Sequence, residues 1–293
     1  MSYHSRLSHA FDKAPVLPLN TYSRYVIISD CHRGNGSAND NFLKNENLYL
    51  TAMQHYYLHG FVCIELGDGD ELWETRNMRE IIEVHNSTFQ LLSRFYSQNR
   101  LYMIYGNHDM EKKTPGYSSK VYSAYFCRDT QCMQPLFPDM VFYEGIILEN
   151  SRTGLSLYLT HGHQVSLLNS SFWKLGRFLV RYFWKPLEHF GVSDPTSAAK
   201  NNICKDKTEK RLISYSESTG RQLITGHTHR PRLVPSSPSY INTGCCVHPD
   251  CITCLEIESG TILLVKWYFS VKKDRTLYVA REVLSILPLF QKN

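Results

Sequence analysis

The chain has 293 residues, 42% of them hydrophobic and 20% charged, a balance that excludes extended disorder. Its formal charge of +5 suits an anionic substrate and is too mild to indicate nucleic-acid binding. No run approaches ~18 apolar residues and the stretch before Tyr25 lacks the apolar core of a signal peptide, so a single cytoplasmic domain over 1–293 is expected.

In chain order, Tyr25 to Ser29 reads as a buried strand, Asn41 to His59 as a helix and Phe61 to Leu66 as a second strand. Met78 to Gln98 reads as one long helix and Leu101 to Tyr105 as a third strand. This β-α-β-α-β series predicts a largely parallel sheet with helices on its faces. From Val141 the character changes. Gly145 to Glu149 and Leu155 to Thr160 flank a Ser-Arg-Thr-Gly turn, and Cys251 to Ile257 and Thr261 to Phe269 flank Glu-Ser-Gly, both hairpin patterns. The expectation is an α/β fold in which a second mixed sheet stacks on the first.

Polar clusters follow the strands. They are Ser29-Asp30-Cys31-His32-Arg33, Gly67-Asp68-Gly69-Asp70-Glu71, Gly106-Asn107-His108-Asp109, His161-Gly162-His163 and Gly226-His227-Thr228-His229. In open α/β sheets, the carboxyl ends of strands are where ligand sites form. One such cluster is an ordinary turn, since Gly, Asn and Asp favour turns. Five converging clusters would make one site dense in histidine, carboxylate and amide donors. That mixture suits first-row divalent metals such as Mn, Fe, Co, Ni or Zn, in a number too large for one tetrahedral ion.

The order Asp-x-His, Gly-Asp, Gly-Asn-His-Asp, His-Gly-His, Gly-His-x-His resembles that of the calcineurin-like metallophosphoesterases. The resemblance implies that Asp30, His32 and His229 bind one metal, that Asn107, His161 and His227 bind a second, and that Asp68 bridges both. It also implies phosphoester or phosphoanhydride hydrolysis by a metal-bridging hydroxide. His108 would stabilise the transition state or protonate the leaving oxygen, with Glu71 orienting its imidazole. His163 would hydrogen-bond substrate, and Arg33 and Arg230, each beside a ligand histidine, could reach a phosphate oxygen.

Residues 164–220 interrupt the strand pattern and read as a helical cap insertion. Within it, Phe172 to Phe190 carries Lys174, Arg177, Arg181 and Lys185 at helical spacing, with Phe, Trp, Leu, Val and Tyr around the rest. Such a helix packs its apolar side on the domain, forms a lid over a greasy substrate, or lies on a membrane surface. Pro186 should kink it, and a second helix should open at Asp194-Pro195. A cap in this interval, with Asp68, Glu71 and Trp73 in Gly-Asp-x-x-Glu-x-Trp and Gly226 to Pro231 as Gly-His-Thr-His-Arg-Pro, is similar to the UDP-2,3-diacylglucosamine pyrophosphohydrolases. Some of that group place Arg at the position of His108, and they typically place Asp at that of His163. A phosphorylated small-molecule or lipid-like substrate is therefore expected, with protein Ser/Thr phosphatase, cyclic-nucleotide phosphodiesterase and non-catalytic metal scaffold as the alternatives. The nine cysteines, including Cys245, Cys246, Cys251 and Cys254, lack the paired spacing of a structural zinc site and read as free thiols.

Overall fold

The structure, a computed structural model, describes residues 1–37, 40–184 and 201–290. After helix α1 (Tyr3–His9) and strand β1 (Val16–Pro18) come β2 (Tyr25–Ile28), α2 (Glu46–Leu58) and β3 (Val62–Leu66). Helices α3 (Met78–Val84) and α4 (Asn86–Ser97) then lead to β4 (Leu101–Ile104). β2, β3 and β4 are parallel neighbours, and their near-continuous burial explains why they read as apolar runs rather than alternating ones. Helix α5 (Tyr117–Val121) and the small hairpin β5 (Ala124–Cys127) and β6 (Cys132–Pro135) precede β7 (Phe142–Tyr143), which pairs with β4.

The second sheet starts with the hairpin β8 (Gly145–Glu149) and β9 (Ser156–Thr160). After α6 (Trp173–Leu179) and α7 (Asn202–Thr219), strands β10 (Gln222–Thr225) and β11 (Tyr240–Asn242) join β9 in parallel, giving the order β1-β8-β9-β10-β11. The C-terminal strands are β12 (Cys251–Glu258), β13 (Thr261–Val271) and β14 (Leu277–Pro288).

One apolar cluster, including Ile27, Ile64, Ile104, Leu157, Ile224 and Leu255, fills the space between the two sheets. A second lies between the larger sheet and α2, α3 and α4, and a third joins α1 and α7 to the smaller sheet through Leu7, Leu212, Tyr215 and Leu223. The expected mixed α/β fold with stacked sheets and flanking helices is present. The C-terminal hairpin is a correction. It does not belong to the second sheet: β12 pairs antiparallel with β2, extending the first sheet to β14-β13-β12-β2-β3-β4-β7. The buried side chains of β12, with Leu255 and Ile257 on one face and Cys254 on the other, need cover on both faces, which a place beside β2, between the second sheet and α2, provides.

The helix expected from Met78 to Gln98 breaks at His85, whose backbone leaves helical geometry at φ −95° and ψ 36°. Its buried imidazole lies 2.9 Å from Asp40 and 3.1 Å from Glu46, so tertiary contacts hold the break. In the cap, α6 continues as a short π-helical turn, Val180–Trp184. Of the three arrangements open to this helix, packing of its apolar side on the domain is not the one found: Phe172, Leu175, Phe178 and Tyr182 are exposed, while Arg177 and Arg181 face the body. The surface beneath offers the Glu111 carboxylate and the carbonyls of Leu72 and Trp73, which select guanidinium over hydrocarbon. Lys185, Pro186 and the helix start at Asp194-Pro195 lie outside the described residues. Among the described residues no helix is long and apolar enough to cross a membrane.

Candidate metal centre

β2, β3 and β4 end together, and β9 and β10 end on the facing sheet, so the five polar clusters meet at one end of the sandwich. Backbone bonds lock the loops to each other: Asp30 N–H donates to Gly67 O at 3.1 Å, His32 N–H to Asp68 O at 2.9 Å, and Gly226 N–H to His161 O at 3.1 Å. The strands stop abruptly because Asp30, His32, Asp68, His227 and His229 all have left-handed backbones, with φ between 47° and 68°. Non-glycine residues in that region carry strain, and strain gathered at one point marks a functional site.

Two groups of ligand atoms result. Asp30, His32 and His229 form one, and Asp68, His161 and His227 the other, each within a sphere suited to one ion. In the first, His229 Nε2 is 3.1 Å from Asp30 Oδ1 and 3.3 Å from His32 Nε2. In the second, His161 Nε2 is 3.1 Å from Asp68 Oδ2, which also lies 3.8 Å from His32 Nε2, so Asp68 stands between the groups. A third histidine-carboxylate group, His32, Glu71 and His108, is a hydrogen-bonded arrangement: Glu71 meets the Nδ1 atoms of His32 and His108 at 2.8 Å each.

The chemistry of the site fits divalent cations. Asn107 Oδ1 and His227 Nε2 are buried without a hydrogen-bond partner, and Asp30 Oδ1 and His161 Nε2 face only His229 and Asp68 of the same centre, an arrangement that costs free energy unless another group satisfies them. Outer atoms fix which ring nitrogen faces inward. His161 Nδ1 lies 2.9 Å from Leu66 O and His32 Nδ1 bonds Glu71, leaving each Nε2 toward the centre. Asp68 Oδ1 accepts the His108 N–H at 2.8 Å, and Asp30 Oδ2 accepts the His227 N–H at 3.0 Å and the Ser29 hydroxyl. Two motif glycines exist to make room. A Cβ at Gly106 would stand 2.1 Å from Asp68 Oδ1, and one at Gly67, whose φ is +88°, would stand 2.6 Å from His161 Nδ1.

The electrostatics alternate. Burial favours a neutral Asp30, but His229 and His161 outweigh it and hold the carboxyl down at about 2. Burial is likewise overcome at Asp68 and Glu71, both held well below the usual carboxylate range by neighbouring imidazoles. Burial opposes charge on His32 and His161 too, yet the Glu71 bond raises the first to about 10 and the Asp68 charge raises the second to about 9. Burial and the charge of His161 push His227 down to about 3. The centre therefore presents ionised carboxylates with imidazoles whose protons are exchangeable for a cation.

His108, one residue past Asn107, stacks on Trp73 with ring centroids 4.4 Å apart and planes at 22°. Its charge is opposed by burial and favoured by Glu71 and Asp68, with a net rise in pKa. His163 is buried, its ring 5.6 Å from that of His161, and its Nδ1 has no partner. Arg230 turns away, donating to Asp206 and to Asn202 at the start of α7. Arg33 is a correction. It is fully buried and cannot reach a substrate phosphate, because its guanidinium bonds both Glu65 oxygens at 2.8 Å and Asp70 at 2.7 Å. Lys112, which sequence reasoning missed, completes this network with Asp70 at 2.8 Å and Asp109 at 2.7 Å. Its position three residues after Asp109, in the helical turn Met110–Lys113, was the only local signal. Among the described residues no cysteine is in a disulfide, and Cys245, Cys246 and Cys254 are buried.

This sandwich, with histidine, carboxylate and amide donors at its strand ends, defines a metal-dependent phosphoesterase fold. The calcineurin-like phosphoesterase family matches residues 23–231, and the chain belongs to that family. The sequence matches no curated protein at a significant level. Among solved structures it is similar to Vps29 of Chaetomium thermophilum at 9% identity and a TM-score of 0.44, over 93% of this chain and 100% of that one. It is also similar to a point mutant of a cold-active protein tyrosine phosphatase, at 14% identity and a TM-score of 0.41, over 92% of this chain and 82% of that one.

Proposed function

We propose that the protein is a dinuclear metal-dependent hydrolase of a phosphoester or phosphoanhydride. Asp30, His32 and His229 would hold one divalent ion, Asn107, His161 and His227 would hold the other, and Asp68 would be shared. The observation that carries this reading is the meeting of two ligand groups at Asp68, with buried donor atoms that have no hydrogen-bond partner. Mn is the favoured metal, with Fe, Zn, Co or Ni as alternatives. Such ions activate water and neutralise phosphate charge when bound.

The protein's own groups do the rest. Glu71 holds the His32 and His108 imidazoles at once, so a single carboxylate sets both the ligand and its neighbour. His108, pinned between Glu71 and the Trp73 ring, presents Nε2 for a proton to the leaving oxygen. In this reading His163, whose buried Nδ1 has no partner, hydrogen-bonds a phosphate oxygen on the His161 side. The substrate in this reading is a phosphorylated small molecule, nucleotide-linked or lipid-like, taken up beside α6 and not under its apolar side, which faces outward.

The test is hydrolysis of bis(p-nitrophenyl) phosphate and p-nitrophenyl phosphate by metal-stripped protein, with Mn²⁺ restored, beside Asp68→Ala and His108→Ala. The expected outcome is metal-restored turnover that Asp68→Ala lacks. His108→Ala should keep its metal content and lose roughly 10²–10⁴-fold in rate. A wild type that binds metal and turns over neither ester, with no effect of His108→Ala on any bound partner, would indicate a scaffold instead. No bound metal would end the proposal.

A further inference from the structure

Helix α6 is amphipathic in the reverse sense for a packed helix. Gly176 is its buried residue, and a Cβ there would lie 3.3 Å from both the Trp73 ring and Leu168 O, so the helix backbone rests on Trp73. Arg177 pairs with Glu111, and Arg181 donates to Trp73 O at 2.8 Å and Leu72 O at 2.7 Å, so the cationic side also faces inward. On the far side Phe172, Leu175, Phe178 and Tyr182 are 58%, 52%, 56% and 53% exposed. Their steps of three, three and four residues align them as one outward apolar stripe.

A basic rim borders the stripe. Arg76, Arg79, Lys120, Lys174 and Arg177 line a cleft of about 760 Å³ between α6, α5 and the start of α3. Among the described residues the one carboxylate lining it, Glu111, is already paired with Arg177. Arg76 joins rim to stripe, donating to the Tyr182 hydroxyl at 2.6 Å with its guanidinium 5.6 Å from the ring centre. Exposed hydrocarbon beside a rim where, among the described residues, cations outnumber carboxylates calls for a partner that offers both an apolar interior and anionic groups at its surface. A second copy of the chain meets only half of that need, because a two-fold contact across this face would oppose like charges.

We propose that the outer face of α6 docks on an anionic lipid surface, with the apolar stripe among the acyl chains and the basic rim against lipid phosphates. Docking there would bring the Trp73–His108 stack, on which α6 rests, to the membrane interface. The proposal depends on surface chemistry and stands apart from hydrolysis, because its test reads binding.

The test is flotation of the full chain with vesicles of phosphatidylcholine alone or mixed with phosphatidylglycerol, at low and high salt. Its variants are the triple Phe172→Ser, Leu175→Ser, Phe178→Ser and the double Arg79→Glu, Lys120→Glu. Wild type should float with the mixed vesicles, bind phosphatidylcholine alone at least ten-fold more weakly, and be released by salt. Each variant should lose binding roughly ten-fold or more at an unchanged melting temperature. Should the triple variant unfold, the double variant and the salt dependence of wild type decide the matter. Failure of wild type to float would overturn the proposal. So would a solution dimer that the triple variant converts to monomer while lipid binding stays absent, or variants that float as well as wild type.

Discussion

Arg33 and His32 are neighbours with opposite fates. The left-handed backbone of His32 turns its imidazole to the centre, while Arg33 is drawn under it by Glu65 and Asp70. Removing one partner of a buried ion network leaves uncompensated charge, so Arg33→Met should destabilise the protein by about 3–5 kcal/mol. Urea unfolding measures this, and the KM of the remaining folded enzyme should stay near that of wild type. A raised KM at full stability would return Arg33 to the substrate. At Gly106 the issue is space. A Cβ would displace Asp68 Oδ1 from 2.1 Å away, so Gly106→Ala should cut turnover about a hundred-fold. Bound metal, counted by elemental analysis, should fall with it. Retained metal and rate would mean that the Asp68 loop can move aside.

At the scale of elements, His85 joins α3, α4 and the start of α2 through Asp40 and Glu46. Burial opposes its charge, but the Asp40 and Glu46 bonds prevail and raise its pKa. Burial would raise Asp40, but the His85 bond and backbone amides lower it. The raised histidine contributes stability that is full below its unfolded value near 6.5 and is lost as pH rises through the folded value. The lowered aspartate contributes stability present above its unfolded value near 3.9 and lost as pH falls through the folded one. The stability gap between wild type and His85→Gln should therefore be widest between about pH 4 and 6.5 and narrow on the alkaline side. Denaturant titrations across pH would show this, and a gap that grows above neutrality would contradict it.

For the whole molecule, the centre joins loops from both sheets, so cation binding should tie the sandwich together. At free Mn²⁺ a hundred-fold above its Kd, the gain is about 2.7 kcal/mol, which should raise the melting temperature by about 4–5 °C. Chelation should reverse the rise, and Asp68→Ala should abolish it. A melting curve indifferent to metal in wild type would show that the loops are fixed by the protein alone.

Much of this architecture is readable from the sequence because it is local. The apolar runs at Tyr25, Phe61 and Leu101 set three parallel strands, the two hairpin turns lie between alternating segments, and glycine beside Asp, Asn or His marks the strand ends. The ligand types follow from residue chemistry, and their order along the chain carries the family. What tertiary structure decided is what depends on partners far away in sequence. The fate of Arg33 rests on carboxylates 32 and 37 residues distant, and the break at His85 rests on Asp40, 45 residues distant. The pairing of β12 with β2 spans most of the chain. Periodicity marks the apolar side of α6 but not its direction. The surface below offers guanidinium acceptors, and that reverses which side faces the protein.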